Sequence, residues 1–126
     1  MKLFIYVVIL TLVFLGLGWY SEILIAQQAE TILSELENLA SSVKDGKTAE
    51  IDQHLERINH FWLTSRRIWV LLIDHHDLDD FELYLARTKS HLANNAHILA
   101  LAGIAEMKQT INRIPDQLRL NLENIF

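Results

Sequence analysis

The sequence predicts an all-α protein: an N-terminal transmembrane helix that continues into an antiparallel, up-down bundle of about four helices. Three observations predict it. From Leu3 to Ser21 no side chain is charged, and twelve of those residues are Leu, Ile, Val or Phe. From Ala29 onward apolar residues recur at three- and four-residue spacing, the period of one helix face. Alternating strand patterns are missing, and the chain breakers are few: four Gly and one Pro.

A bilayer span needs about 20 apolar residues, each rising about 1.5 Å. At roughly −0.3 to −0.6 kcal/mol per residue, twelve such side chains favour insertion by about 4 to 7 kcal/mol as an upper bound. A cleavable signal sequence is the competing reading, with Gly16 and Gly18 as a small-residue cleavage site. Against it, the charged segment is Lys2 alone and the apolar run exceeds the usual length of about 7–15 residues. The anchor is therefore assigned to residues 1–21 and a single bundle domain to residues 22–126. Without Cys, a lipid-modified cysteine is ruled out. Lys2 precedes the span, whereas Glu22, Glu30, Glu35 and Glu37 follow it and the first basic residue after it is Lys44. The positive-inside rule then predicts a single-pass protein of the cell membrane, N-terminus cytoplasmic and domain extracytoplasmic. Trp19 and Tyr20 suit the far interface, where amphipathic rings sit at headgroup level.

Helix 1 is expected to leave the membrane unbroken. Ala29, Ile32, Leu33, Leu36, Leu39, Ala40 and Val43 form one apolar stripe that ends at Asp45-Gly46, where Gly supplies a left-handed cap. Such a helix exceeds 40 residues, about 60 Å. Thr48 is the predicted N-cap of helix 2. Ile51, Leu55, Ile58, Trp62, Ser65, Trp69 and Leu72 then step in alternating fours and threes, the seam pattern of a bundle. The stretch Ile68 to Ile73 is apolar all round, which predicts burial on every side. The segment Asp74 to Asp80 separates helices 2 and 3, with Asp77 as the expected cap and Asp79 and Asp80 near the positive helix end. Helix 3 buries Leu78, Phe81, Leu85 and Leu92 and ends at Asn94-Asn95. Helix 4 carries Leu101, Ile104, Met107, Ile111 and Ile114 and is predicted to stop at Pro115, the tail adding at most one further turn.

Residues 22–126 hold ten of the eleven basic residues and all sixteen acidic ones, a net charge of −6. This argues against nucleic acid as a partner and against tight docking on an anionic lipid surface. No Cys nucleophile, G-x-S-x-G elbow or Walker loop is present, so neither an enzyme nor a cofactor is expected. The six His invite a metal hypothesis, but His-Glu-x-x-His and Glu-x-x-His are absent. Glu50 and His54 share a helix face, and His75 and His76 sit among four Asp; helix capping is the favoured role there, and no metal ligand is assigned. An EF-hand fails because Phe81 occupies the third ligand position.

Trp62 and Trp69, seven residues apart, share a face; core packing is favoured over an aromatic ligand cage. Arg66 and Arg67 lie between them, read as solvated or as ion-paired to acidic residues such as Asp74 rather than as an anion site. Ala96, Ala100, Ala102, Gly103 and Ala105 make helix 4 smooth, for tight internal packing or for docking another helix. Ile125 and Phe126 either cover the end of the bundle or meet a partner.

Several of these features together resemble a bacterial family, domain of unknown function 4363. They are the short N-terminal anchor, Trp62 and Trp69, Asp74-His75 closing helix 2, Ile114-Pro115, and the ending Asn124-Ile125-Phe126. The resemblance covers most of the chain. It implies a membrane-associated helical protein, mainly of Gram-positive and often spore-forming bacteria, whose relatives accompany a multi-spanning membrane protein. It carries over no catalytic residue. The sequence departs from the pattern in having His76 and Asp77 after the Asp-His pair, where an acidic residue is expected sooner.

Two functions follow as expectations. The first is a membrane-anchored accessory or scaffold protein whose bundle packs on an integral membrane protein, or on a second copy, at the outer face. Its contact residues would be Ala100, Gly103, Ile125 and Phe126. The alternative is an extracytoplasmic sensor or small-ligand-binding four-helix bundle, with Trp62, Arg66, Arg67 and Trp69 lining the pocket and Asp74 and His75 near its end.

Overall fold

In the computed structural model, which describes residues 1–125 and only the backbone of Ile125, every element is a helix. They are α1 (Lys2–Asp45), α2 (Thr48–Leu72), α3 (His75–Ala93) and α4 (His97–Ile125). Short turns join them, so consecutive helices run antiparallel. The backbones of α1 and α2, α1 and α4, and α3 and α4 come close, whereas α2 and α3 stay apart along most of their length.

α1 has two halves that obey different rules. Residues 3–17 are exposed throughout, with Leu3 at 77% and Phe4 at 73%. The helix Lys2–Asp45 is long and apolar enough to cross a bilayer, by an unburied 18-residue window near the N-terminus. From Ile25 on, Ala29, Ile32, Leu36, Leu39 and Val43 turn into the core at three- and four-residue steps. The helix passes Gly16 and Gly18 unbroken and ends where the sequence puts its stop. Gly46 takes φ 69°, and the Gly46 and Lys47 N–H groups donate to the carbonyls of Val43 and Ser42 at 3.3 and 3.0 Å. These are the paired bonds of a Schellman cap.

α2 buries Ile51, Ile58, Trp62, Ser65 and Trp69, the seam read from the sequence. Two expectations for it fail. The cap is Lys47, not Thr48, because the Lys47 carbonyl already accepts from the Ile51 N–H at 3.0 Å, so the ladder starts one residue early. The stretch Ile68–Ile73 is not wrapped on every side: Trp69 and Ile73 are buried, but Leu71 is 80% exposed. It lies at the end of the bundle, where no fifth helix covers the outer face.

α3 is capped by Asp74, whose carboxylate accepts from the His76 N–H at 3.0 Å. Asp77, the expected cap, lies inside the first turn and reaches across to α4, where Gln117 and Arg113 donate to it. α3 buries Leu78, Phe81, Leu85 and Thr88, keeps Leu92 half-buried, and ends with Asn95 at φ 58°.

α4 corrects the largest misreading. It does not stop at Pro115 but continues ten residues beyond it. A proline inside a helix removes one donor and costs about 3 kcal/mol. Past it, Leu118 is fully buried and Leu122 packs partly against the core. Burying a leucine contributes about 1.5–3 kcal/mol. Gln117 and Arg119 add cross-helix contacts to Asp77 and Glu22. Tertiary burial on both sides of Pro115 therefore outweighs the local break.

Candidate functional site

The residues singled out from sequence fall into three places. The first is the α2–α3 seam. Trp62 stacks on Phe81 with centroids 4.2 Å apart and meets Trp69 edge-on at 5.8 Å. All three side chains are buried. Their polar ends are satisfied: Trp62 Nε1 donates to Glu82 Oε1 at 3.1 Å and Trp69 Nε1 to Gln28 Oε1 at 2.8 Å. The tryptophans thus fill the space a ligand cage would need. Arg66 is ion-paired, but with Glu82 across the seam (Nε to Oε1, 2.6 Å) rather than with Asp74. The same carboxylate thus accepts from the indole and ion-pairs with the guanidinium, tying the aromatic stack to the rim. Arg67 is exposed and lines a shallow outer groove with Leu63, Arg66 and Val70.

The stacked rings of Trp62 and Phe81 fill the middle of this seam. Toward the Gly46 end a crevice opens between α2 and α3. Its walls include Ile51, Leu55 and Leu92, with Asp52, Lys89 and His97 at the rim. Sequence periodicity could not reveal it, because its walls come from residues far apart in the chain.

The second place is the α3–α4 seam. Ala100 is fully buried, and a Cβ added at Gly103 would collide with Thr88 Oγ1. The smooth side of α4 is therefore used inside the molecule: Ala100 and Gly103 bring α4 against α3. Ala102 and Ala105 face outward, as do Ile98 and Leu99, 84% and 55% exposed.

The third is the end of the bundle beside the bare half of α1. Asp74 and His75 are exposed there, Asp74 as the α3 cap. Arg119 Nε lies 3.3 Å from Glu22 Oε1, and Asn121 Nδ2 donates to the Leu72 carbonyl at 3.5 Å. The Ile125 side chain and Phe126 lie outside the described residues, so their contacts are not assigned.

Among the described residues no three His, Asp or Glu side chains converge as metal ligands. Glu50 and His54 do not act as a pair: Ser42 donates to Glu50 at 3.2 Å, and His54 Nδ1 lies 2.9 Å from Glu35 Oε2. That half-buried His54–Glu35 contact, with Arg57 at 3.9 Å, links α1 to α2 and escaped the sequence reading. Partners on different helices leave no mark in local spacing.

No curated protein and no solved structure matches the chain. The family model described as Domain of unknown function (DUF4363) matches residues 19–125, beginning where the bare stretch of α1 gives way to the bundle. Covering all but the first eighteen residues and the last, that match shows that the chain belongs to the DUF4363 family.

Proposed function

We propose that this protein is a non-enzymatic, membrane-anchored accessory or scaffold protein. The first half of α1 spans the cell membrane with Lys2 on the cytoplasmic side, and the bundle stands at the outer face, packed on an integral membrane partner. The observation that carries the reading is the continuity of α1. One helix, without hinge or cap, supplies both a bare apolar stretch of membrane-spanning length and a full side of the bundle core. A folded body is thereby fixed at a set height above the bilayer, which suits a protein that presents a surface. The surfaces left to present include the outer side of α4, with Ile98, Leu99, Ala102 and Ala105, but not Ala100 and Gly103, which are occupied internally. The scaffold reading is favoured over the ligand-binding alternative because Trp62 and Trp69 pack against each other and Arg66 is ion-paired.

The test is co-purification from native membranes in mild detergent, with mass spectrometry of what stays bound. A stoichiometric multi-spanning partner is the expected result. A lone monomer would sink the scaffold reading, and a homo-oligomer would replace the partner by a second copy. A topology reporter fused after Phe126 checks the orientation; activity of a cytoplasm-only reporter would reverse it.

A further inference from the structure

We propose that the end of the bundle beside the bare half of α1 is itself a lipid-contacting surface, with Leu71 and Leu120 seated in the headgroup layer next to Trp19 and Tyr20. The proposal rests on the anchor reading above and adds to it a second, peripheral attachment.

The axial level of this end is fixed by three contacts. Arg119 pairs with Glu22, Asn121 reaches the Leu72 carbonyl, and Gln117 Oε1 accepts from the Asp74 N–H at 3.4 Å. Leu120 therefore lies between residues that meet Glu22 and Leu72, and Leu71 precedes Leu72 by one residue. Two residues below Glu22, α1 carries Tyr20 and then Trp19, 64% and 70% exposed. So α1, α2 and α4 display apolar or aromatic side chains to the outside at one level, and it is the level at which α1 ceases to be bare. Single exposed leucines are ordinary. Leu71 at 80% and Leu120 at 60%, on the two helices that flank α1, form a rim around the point where the anchor enters.

The depth is suitable. Four described residues of α4 follow Asn121, which carries its backbone about 6 Å further toward the bare half at 1.5 Å per residue. The headgroup zone is about 5–7 Å thick on each side, and interfacial helices sink about 5–10 Å. Charge selects the lipid class. Arg119 is engaged by Glu22, and Asp79, Asp116 and Glu123 are exposed close by. The contact is apolar, made with lipid of any headgroup, and independent of anionic lipid.

The chain lacks Cys, so single cysteines can be labelled cleanly. The full-length protein would carry an environment-sensitive fluorophore at Leu71→Cys or Leu120→Cys, in phosphatidylcholine vesicles. Leu10→Cys marks the anchor and Ile98→Cys the opposite end of the bundle. The expected result is that labels at 71 and 120 shift to the blue, are quenched by a shallow lipid-borne spin label and resist aqueous iodide. The label at 98 should stay iodide-accessible, and the one at 10 should respond to a deep spin label. If position 10 reports lipid while 71 and 120 behave like 98, the rim is not lipid-seated and the proposal falls with the anchor intact. If position 10 is also aqueous, the anchor reading and the proposal fall together. Circular dichroism of each labelled protein checks that the helices are retained.

Discussion

The two seams of α3 solve one packing problem in opposite ways. Against α4 the fit is achieved by removing side chains: Ala100 and Gly103 let the helix approach until Thr88 stands where a Cβ would be. Against α2 it is achieved by adding them: Trp62 stacks on Phe81 across the wider gap, with Trp69 edge-on behind it. The close seam leaves no tolerance for size, and the wide seam depends on size being present. Where the rings end, the wide seam opens into the crevice beside Leu55 and Leu92.

The difference can be broken on the wide side with the largest effect. Trp62→Ala removes a fully enclosed side chain and its bond to Glu82, and is expected to lower unfolding free energy by about 3–5 kcal/mol, read by thermal or denaturant melts. A loss below about 1 kcal/mol would mean that the seam collapses. On the close side Gly103→Ala is expected to destabilise by about 1–3 kcal/mol, although Ala in a helix normally gains about 0.5–1 kcal/mol over Gly. Adding Thr88→Ala removes the colliding hydroxyl, so the double variant should recover most of the loss in a double-mutant cycle. Additive losses would place the strain elsewhere. Glu82→Ala deprives Trp62 Nε1 of its acceptor and Arg66 of its ion-pair partner at a half-exposed rim, for an expected loss of about 1 kcal/mol. Smallest, and opposite in sign, Leu55→Phe should fill part of the crevice and stabilise by about 0.5–1 kcal/mol. A destabilised Leu55→Phe protein would show that the crevice cannot accept a ring.

Much of the scaffold was readable because it is repeated locally. The α1 stripe, its stop at Gly46, the four-three steps of α2 and the turn at Asn95 all depend on residues within one helical turn of each other. The misreadings share one cause. Pro115, taken as a stop, is carried through the helix by Leu118 and Leu122, whose burial is decided by other helices. Asp77 is drawn from capping to Gln117 and Arg113, thirty-six to forty residues away. The same holds for the site candidates. Two tryptophans on one face could be recognised as core, but not that Glu82 would be the acceptor for Trp62 and the partner of Arg66. Small residues on α4 could be recognised as a close-approach face, but composition does not say whether the approaching helix is internal; Thr88 answers that for Gly103, and burial does for Ala100. The family match adds membership over residues 19–125.

The unbroken α1 also acts as a lever. Its described run from Ser21 to Asp45 is about 36 Å long, and nothing between it and the lower half absorbs an angle. Spanning helices lean on average by about 20°, and under the proposed membrane anchoring, leaning the lower half by that much would swing the Gly46 end sideways by about 12 Å. Small changes in bilayer thickness or in a neighbouring helix that alter the lean would thus reappear, magnified and as rotation, at the far turn of the bundle.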